Sequence, residues 1–111
     1  MSIDSNLKRG SAELAILSIL QAGPLHGYEI ARRIEQKTDG ELTFDLASLY
    51  PLLYRMERDE WLEALWEDGP NQRRRRAYRL TPLGRKQLKP LRAQWKSLFL
   101  AIEKLAGGSN A

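Results

Sequence analysis

The 111 residues amount to one domain, with 42% hydrophobic residues for a modest core and a size at which a second chain can complete it. There is no cysteine and only one histidine, His26, which excludes disulfides, a cysteine nucleophile and any thiolate- or histidine-built metal site. The net charge of +4 hides an asymmetry: residues 1–70 carry 7 Lys/Arg against 13 Asp/Glu (net −6), and residues 71–111 carry 11 against 1 (net +10).

No acidic residue stands between Asn71 and Ile102, so a polyanion approaching this side is expected to meet a field without local neutralisation. A run of arginines is also a common solvated face, and only its neighbours can tell the two apart. No apolar stretch is long enough to span a bilayer, and Met1–Gly10 has no apolar centre of the signal-peptide kind, so a soluble, cytoplasmic protein is expected.

The first helix is predicted from about Ser11 to Ala22, where Leu14, Ile16, Leu17 and Leu20 form an apolar stripe and Gly23-Pro24 ends it. A second opens at His26-Gly27 and runs to about Thr38, with Tyr28, Ile30, Ala31 and Ile34 inward, Arg32, Arg33 and Lys37 outward, and Asp39-Gly40 as its exit. The third is capped by Asp45 and runs to about Asp59. Leu46, Leu49, Leu53 and Met56 are its buried stripe, and Ser48, Tyr50, Pro51, Tyr54, Arg55 and Arg58 its other face. Pro51 falls beyond the first turn on that reading, so a start nearer Ala47 or Ser48 stays open.

Leu62–Glu67 and Arg75–Leu80 read as two short strands joined by the turn formers Asp68-Gly69-Pro70-Asn71. The run Arg73, Arg74, Arg75, Arg76 leads into the second strand. Thr81-Pro82 then starts a last helix, a capping hydroxyl followed by proline at the first helical position. In it Leu88, Leu91, Trp95, Leu98, Ile102 and Leu105 follow at steps of three and four, and Phe99 widens the stripe; such a seam suits a coiled-coil partner or the chain's own core. Pro90 is expected to kink this helix or divide it in two. Trp61 and Trp66 read as packing residues around the hairpin.

A helix bearing hydroxyls and an arginine, followed by a basic hairpin, is an arrangement suited to reading a DNA groove and holding the adjacent backbone. Three strings in order carry a family resemblance: Pro24-Leu25-His26-Gly27-Tyr28-Glu29-Ile30; Ser48-Leu49-Tyr50-Pro51-Leu52-Leu53-Tyr54-Arg55-Met56-Glu57; and Arg73 to Arg76 leading into Ala77-Tyr78-Arg79-Leu80-Thr81-Pro82-Leu83-Gly84. From about Leu7 to Leu105 the chain resembles the PadR-type transcriptional regulators, of the smaller class with a single helix after the wing. The resemblance implies a mainly α fold with a small β-hairpin: a winged helix-turn-helix over residues 1–81 with its wing at about 62–80, a C-terminal dimerisation helix at 82–106, and a flexible tail at 107–111. It further implies a homodimer acting usually as a repressor that leaves its operator on binding a small ligand. Two positions depart from the family pattern, Glu60 and Ala47, each standing where glycine is common. At Glu60 a left-handed conformation, if kept, costs about 1 kcal/mol.

Double-stranded DNA is thus the expected partner. Ser48, Tyr50, Tyr54 and Arg55 are expected at base edges or phosphates, Arg73 to Arg76 along phosphates or in the minor groove, and Tyr28, Lys8 and Arg9 as secondary backbone contacts. Each tyrosine also suits a half-buried core position with one polar end. Leu91, Trp95, Leu98, Phe99, Ile102 and Leu105 are the expected dimer seam, and twofold symmetry then requires an inverted-repeat operator. Some small members of the family bind flat aromatic or cationic compounds between paired tryptophans, which makes Trp95 the candidate ligand residue beside its role as core filler; basic neighbours disfavour cationic ligands. The alternative from another class is a winged-helix protein-interaction module without specific DNA binding. No nucleophile–base pair, apolar carboxylate pair or glycine-rich phosphate loop supports an enzyme, and no cofactor or metal is expected.

Overall fold

The computed structural model describes residues 5–69 and 74–107. Three helices, α1 (Ser5–Ile19), α2 (Gly27–Lys37) and α3 (Leu46–Arg58), are followed by the strands β2 (Leu62–Asp68) and β3 (Arg74–Leu80) and the long helix α4 (Pro82–Ile102), which a π-helical turn extends through Glu103–Gly107. A two-residue strand β1 (Leu25–His26), preceded by a 3-10 turn at Leu20–Ala22, pairs antiparallel with β3 and makes a three-stranded sheet in the order β1-β3-β2. Among the described residues no helix is long and apolar enough to cross a membrane.

The core is built from the apolar stripes. Ile16, Leu17 and Leu20 of the first helical segment, Ile30 and Ile34 of α2, Leu49, Leu53 and Met56 of α3, and Leu62, Tyr78 and Leu80 of the sheet are buried together. Leu46 lies outside this cluster and is exposed: at the first position of α3 it precedes the turn that meets the core.

Local signals fix the helix ends. The Asp45 carboxylate accepts from the Ser48 amide at 2.8 Å, so α3 starts at the earlier of its two candidate positions with Pro51 inside it. A proline there removes a donor only from the Ala47 carbonyl, and both residues face solvent, where water can serve. The same reasoning corrects the expected division at Pro90: α4 is continuous, because the bond lost belongs to exposed Lys86. At the front of α2 the Glu29 carboxylate accepts from the His26 amide at 2.9 Å, and this bond holds its pKa below the usual carboxylate range.

Helix α3 ends in a Schellman motif. The Trp61 amide donates to the Met56 carbonyl at 2.9 Å and the Glu60 amide to Glu57 at 3.0 Å, with Glu60 at φ 65°. Glu60 therefore keeps the left-handed conformation of the family's usual glycine. Glu60→Gly should raise stability by up to about 1 kcal/mol in a urea titration, whereas a loss would show that the glutamate side chain outweighs its backbone strain.

Helix α1 begins at Ser5 rather than Ser11, so Lys8 and Arg9 lie within it and not before it. Tyr28, expected inward, is exposed, its ring stacked on that of His26 at a centroid distance of 6.2 Å. Helix α4 packs along α1, with Leu88 and Leu91 against the core, so Leu91 is at least partly used within its own chain. Beyond Leu91 the helix leaves the core. The radius of gyration is 15.9 Å, against about 13 Å for a compact chain of this length, and the longest axis is 62 Å. Leu98, Phe99, Leu100, Ile102 and Leu105 stand exposed on this arm, and Gly107, expected in the tail, belongs to its last turn.

Candidate nucleic-acid interface

The candidate site is the solvent face of α3 and the wing beside it. With the buried stripe of α3 turned into the core, the face opposite presents Ala47, Ser48, Pro51, Tyr54, Arg55 and Arg58, all exposed. Toward α1, Arg55 Nη2 pairs with Glu13 Oε2 at 3.1 Å. Toward the wing, Tyr50, Tyr54 and Glu57 make an edge at helical spacing. Tyr50 is half-buried against the core, and its ring lies where a Cβ on Gly27 would stand, 2.7 Å from the hydroxyl oxygen. Only glycine at the front of α2 leaves that space. Tyr50 and Tyr54 are tilted neighbours with ring centroids 6.0 Å apart.

The β2–β3 register changes the electrostatic picture drawn from the chain's linear order. Opposite Arg74, Arg75 and Arg79 stand Asp68, Glu67 and Glu63. Arg79 Nη2 donates to Glu63 Oε1 at 2.8 Å, and Arg76 Nη2 to Glu57 Oε2 of α3 at 3.4 Å. The expected absence of local neutralisation is thereby corrected: an acidic strand lies against the basic one, because antiparallel pairing joins residues far apart in a linear charge count. Arg73 lies outside the described residues. Arg74 is placed by its backbone as the first residue of β3.

Arg76 is turned into the protein. Its guanidinium carbon lies 5.1 Å from the Trp66 ring centroid and 5.6 Å from that of Tyr54. Trp66, expected as a packing residue, is 52% exposed. Beneath it Tyr78 is wholly buried, and that burial pushes its phenol above the ordinary tyrosine value. On the other side of the sheet His26 ties α2 to the wing: Nδ1 lies 2.6 Å from Glu29 Oε1 and Nε2 3.1 Å from Glu67 Oε2. Sequence reasoning missed Glu57 and Trp66, since neither is basic; the three-residue step from Tyr54 to Glu57 was the one available signal. Trp95 lies on α4 past Pro90, half-buried.

A three-helix core whose third helix presents a polar face beside a β-hairpin defines a winged helix-turn-helix, here with a long C-terminal helix. A family model described as the transcriptional regulator PadR-like family matches residues 16–90. A solved transcriptional regulator from Clostridium thermocellum is 33% identical, with 94% of this chain and 98% of that one covered at a TM-score of 0.84. A protein of Lysinibacillus sphaericus is 31% identical over 101 residues, 91% of this chain and 93% of the relative. The crystal structure of Bacillus subtilis PadR in complex with operator DNA shares the fold at a TM-score of 0.67 and 21% identity, over 72% of this chain and 44% of that one. The chain belongs to the PadR-like family of transcriptional regulators.

Proposed function

We propose that the protein is a homodimeric repressor that reads an inverted-repeat operator in duplex DNA and leaves it on binding a small, flat aromatic ligand. The observation that carries the DNA reading is the solvent face of α3: small and polar at its centre, flanked by Tyr54 and Arg55, and bordered by the wing. Ser48, Tyr54 and Arg55 reach base edges or phosphates; Arg55 is free to do so once DNA competes for its exposed pair with Glu13, a bond of small net worth. Tyr50 offers its hydroxyl from a half-buried ring. Arg73, Arg74 and Arg75 supply wing contacts to phosphate, with Tyr28, Lys8 and Arg9 at the outer backbone.

The exposed apolar residues of α4 support the dimer, and two copies of one helix then face two copies of one half-site. Repression and release by a ligand rest on the family resemblance, with Trp95 as the residue placed on the arm where two copies would meet. The experiment is a titration of duplex DNA at several salt concentrations with the wild type and the Arg74→Ala/Arg75→Ala variant. Each phosphate contact releases about 0.9 counterion, so the variant should bind all duplexes more weakly, with its log–log salt slope flattened by about 2. An unchanged slope would remove these two arginines from the mechanism.

A further inference from the structure

Among the described side chains of the wing, the charge of Arg76 is engaged by two rings and a carboxylate of its own chain. We propose that Arg76 is a positioning residue, which locks the wing to α3 and sets the pose of Tyr54 without itself holding DNA phosphate. The inference rests on the DNA-reading function proposed above.

Three observations carry it. First, the guanidinium lies between an aromatic ring of the wing and one of α3, Trp66 at 5.1 Å and Tyr54 at 5.6 Å, and donates to Glu57 of α3 at 3.4 Å. One side chain thus spans the two elements that would contact DNA. Second, it is seated: the side chain is 33% exposed against 47% for Arg79 on the same strand, and Nε is buried, a property it shares with Arg75, for which no ring contact accompanies it among the described residues. Pulling such a group out to a phosphate would forfeit both ring contacts and leave Glu57 beside the interface uncompensated. Third, the contact ends a continuous row. Gly27 receives the Tyr50 ring, Tyr50 lies beside Tyr54, Tyr54 beside Arg76, and Arg76 beside Trp66. Fixing Arg76 therefore fixes Tyr54 from the wing side, as Tyr50 does from the helix-turn-helix side.

A guanidinium is required for this task, because lysine keeps the charge but cannot meet two rings and a carboxylate with one broad, multi-donor group. The chemistry separates positioning from phosphate contact. If Arg76 positions, Arg76→Lys and Arg76→Ala should both lower the ratio of operator to scrambled-duplex affinity by about tenfold, with the salt slope of scrambled-duplex binding unchanged. Glu57→Gln should also lower the ratio, by about threefold, although removing a negative charge would by itself strengthen DNA binding. If Arg76 instead contacts phosphate, Arg76→Lys will resemble the wild type and Arg76→Ala will weaken all duplexes alike with a slope about 0.9 smaller; that result overturns the proposal.

Hydrogen exchange on the free protein provides an arm without DNA. Amides of β2 and β3 should exchange faster in Arg76→Lys than in the wild type while those of α1 keep their rates, and equal exchange across the wing overturns the lock. If Arg76→Ala does not fold, the lysine and Glu57→Gln variants decide the matter. A wild type without sequence preference would defeat the DNA reading, and the exchange comparison would still decide the lock.

Discussion

Gly84→Ala should cost about 3 kcal/mol or more of folding stability, although on helix propensity alone the substitution would add up to about 1 kcal/mol. Gly84 is the third residue of α4 and is buried, and a Cβ there would run into the main-chain carbonyl oxygen of Trp61. That oxygen cannot step aside. It accepts from the Thr81 amide at 3.1 Å and lies 3.2 Å from the Thr81 hydroxyl, which also donates to the Glu60 carbonyl at 2.6 Å and accepts from the Gly84 amide at 2.9 Å. The exit of α3 and the start of α4 are therefore one hydrogen-bonded joint, and the alanine methyl must push them apart. A loss of this size is a large fraction of the total stability for such a domain and should lower the urea midpoint accordingly, whereas an unchanged or raised midpoint would show that α4 does not dock here.

Phe99→Glu/Ile102→Glu should convert the protein to a monomer in sedimentation and lower operator affinity by about a hundredfold or more, since each half-site is then bound without its tethered neighbour. The two residues are 63% and 51% exposed on the arm of α4 beyond the core, so charge there leaves the fold of the single chain intact. Leu98 and Leu105 stand exposed on the same arm, and an apolar surface of this extent is ordinarily covered by a partner. A dimer that survives both charges would refute the seam. A monomer with full operator affinity would refute the inverted repeat.

What could be read from the sequence was local. Asp45 caps α3 and Thr81-Pro82 opens α4 as expected, because a cap needs only a side chain and the amide three residues on. The buried stripes of α2 and α3 followed from spacing, apart from exposed Tyr28 and Leu46 at the helix starts, where periodicity cannot say which turn first meets the core. The beginning of α1 at Ser5 left no trace, since its first turns carry one apolar residue, Leu7, and no stripe. Strand β1 was illegible for another reason: two residues have no period, and Leu25 and His26 become a strand only by pairing with Tyr78 and Ala77.

The site was legible in part for the same physical reasons. Helical spacing placed Ser48, Tyr54 and Arg55 on an exposed face, but Tyr50, one step round the helix, leans on Gly27 of another element. A basic run looked uniform in the chain and is not uniform in space. Register sets Glu63, Glu67 and Asp68 against it, and the partners that draw Arg76 inward, Tyr54, Glu57 and Trp66, lie on α3 and β2. Long-range pairing gives Arg76 partners within the chain, which composition cannot express.

Selection of bound sequences from a random duplex pool, followed by titration of the winner against a scrambled duplex, tests the central claim most directly. A palindromic winner with two identical half-sites is expected, bound at physiological salt about 10³-fold or more tighter than the scramble. Equal, salt-sensitive binding to every duplex, or no binding at all, would contradict it and point instead to a winged-helix module that engages another protein.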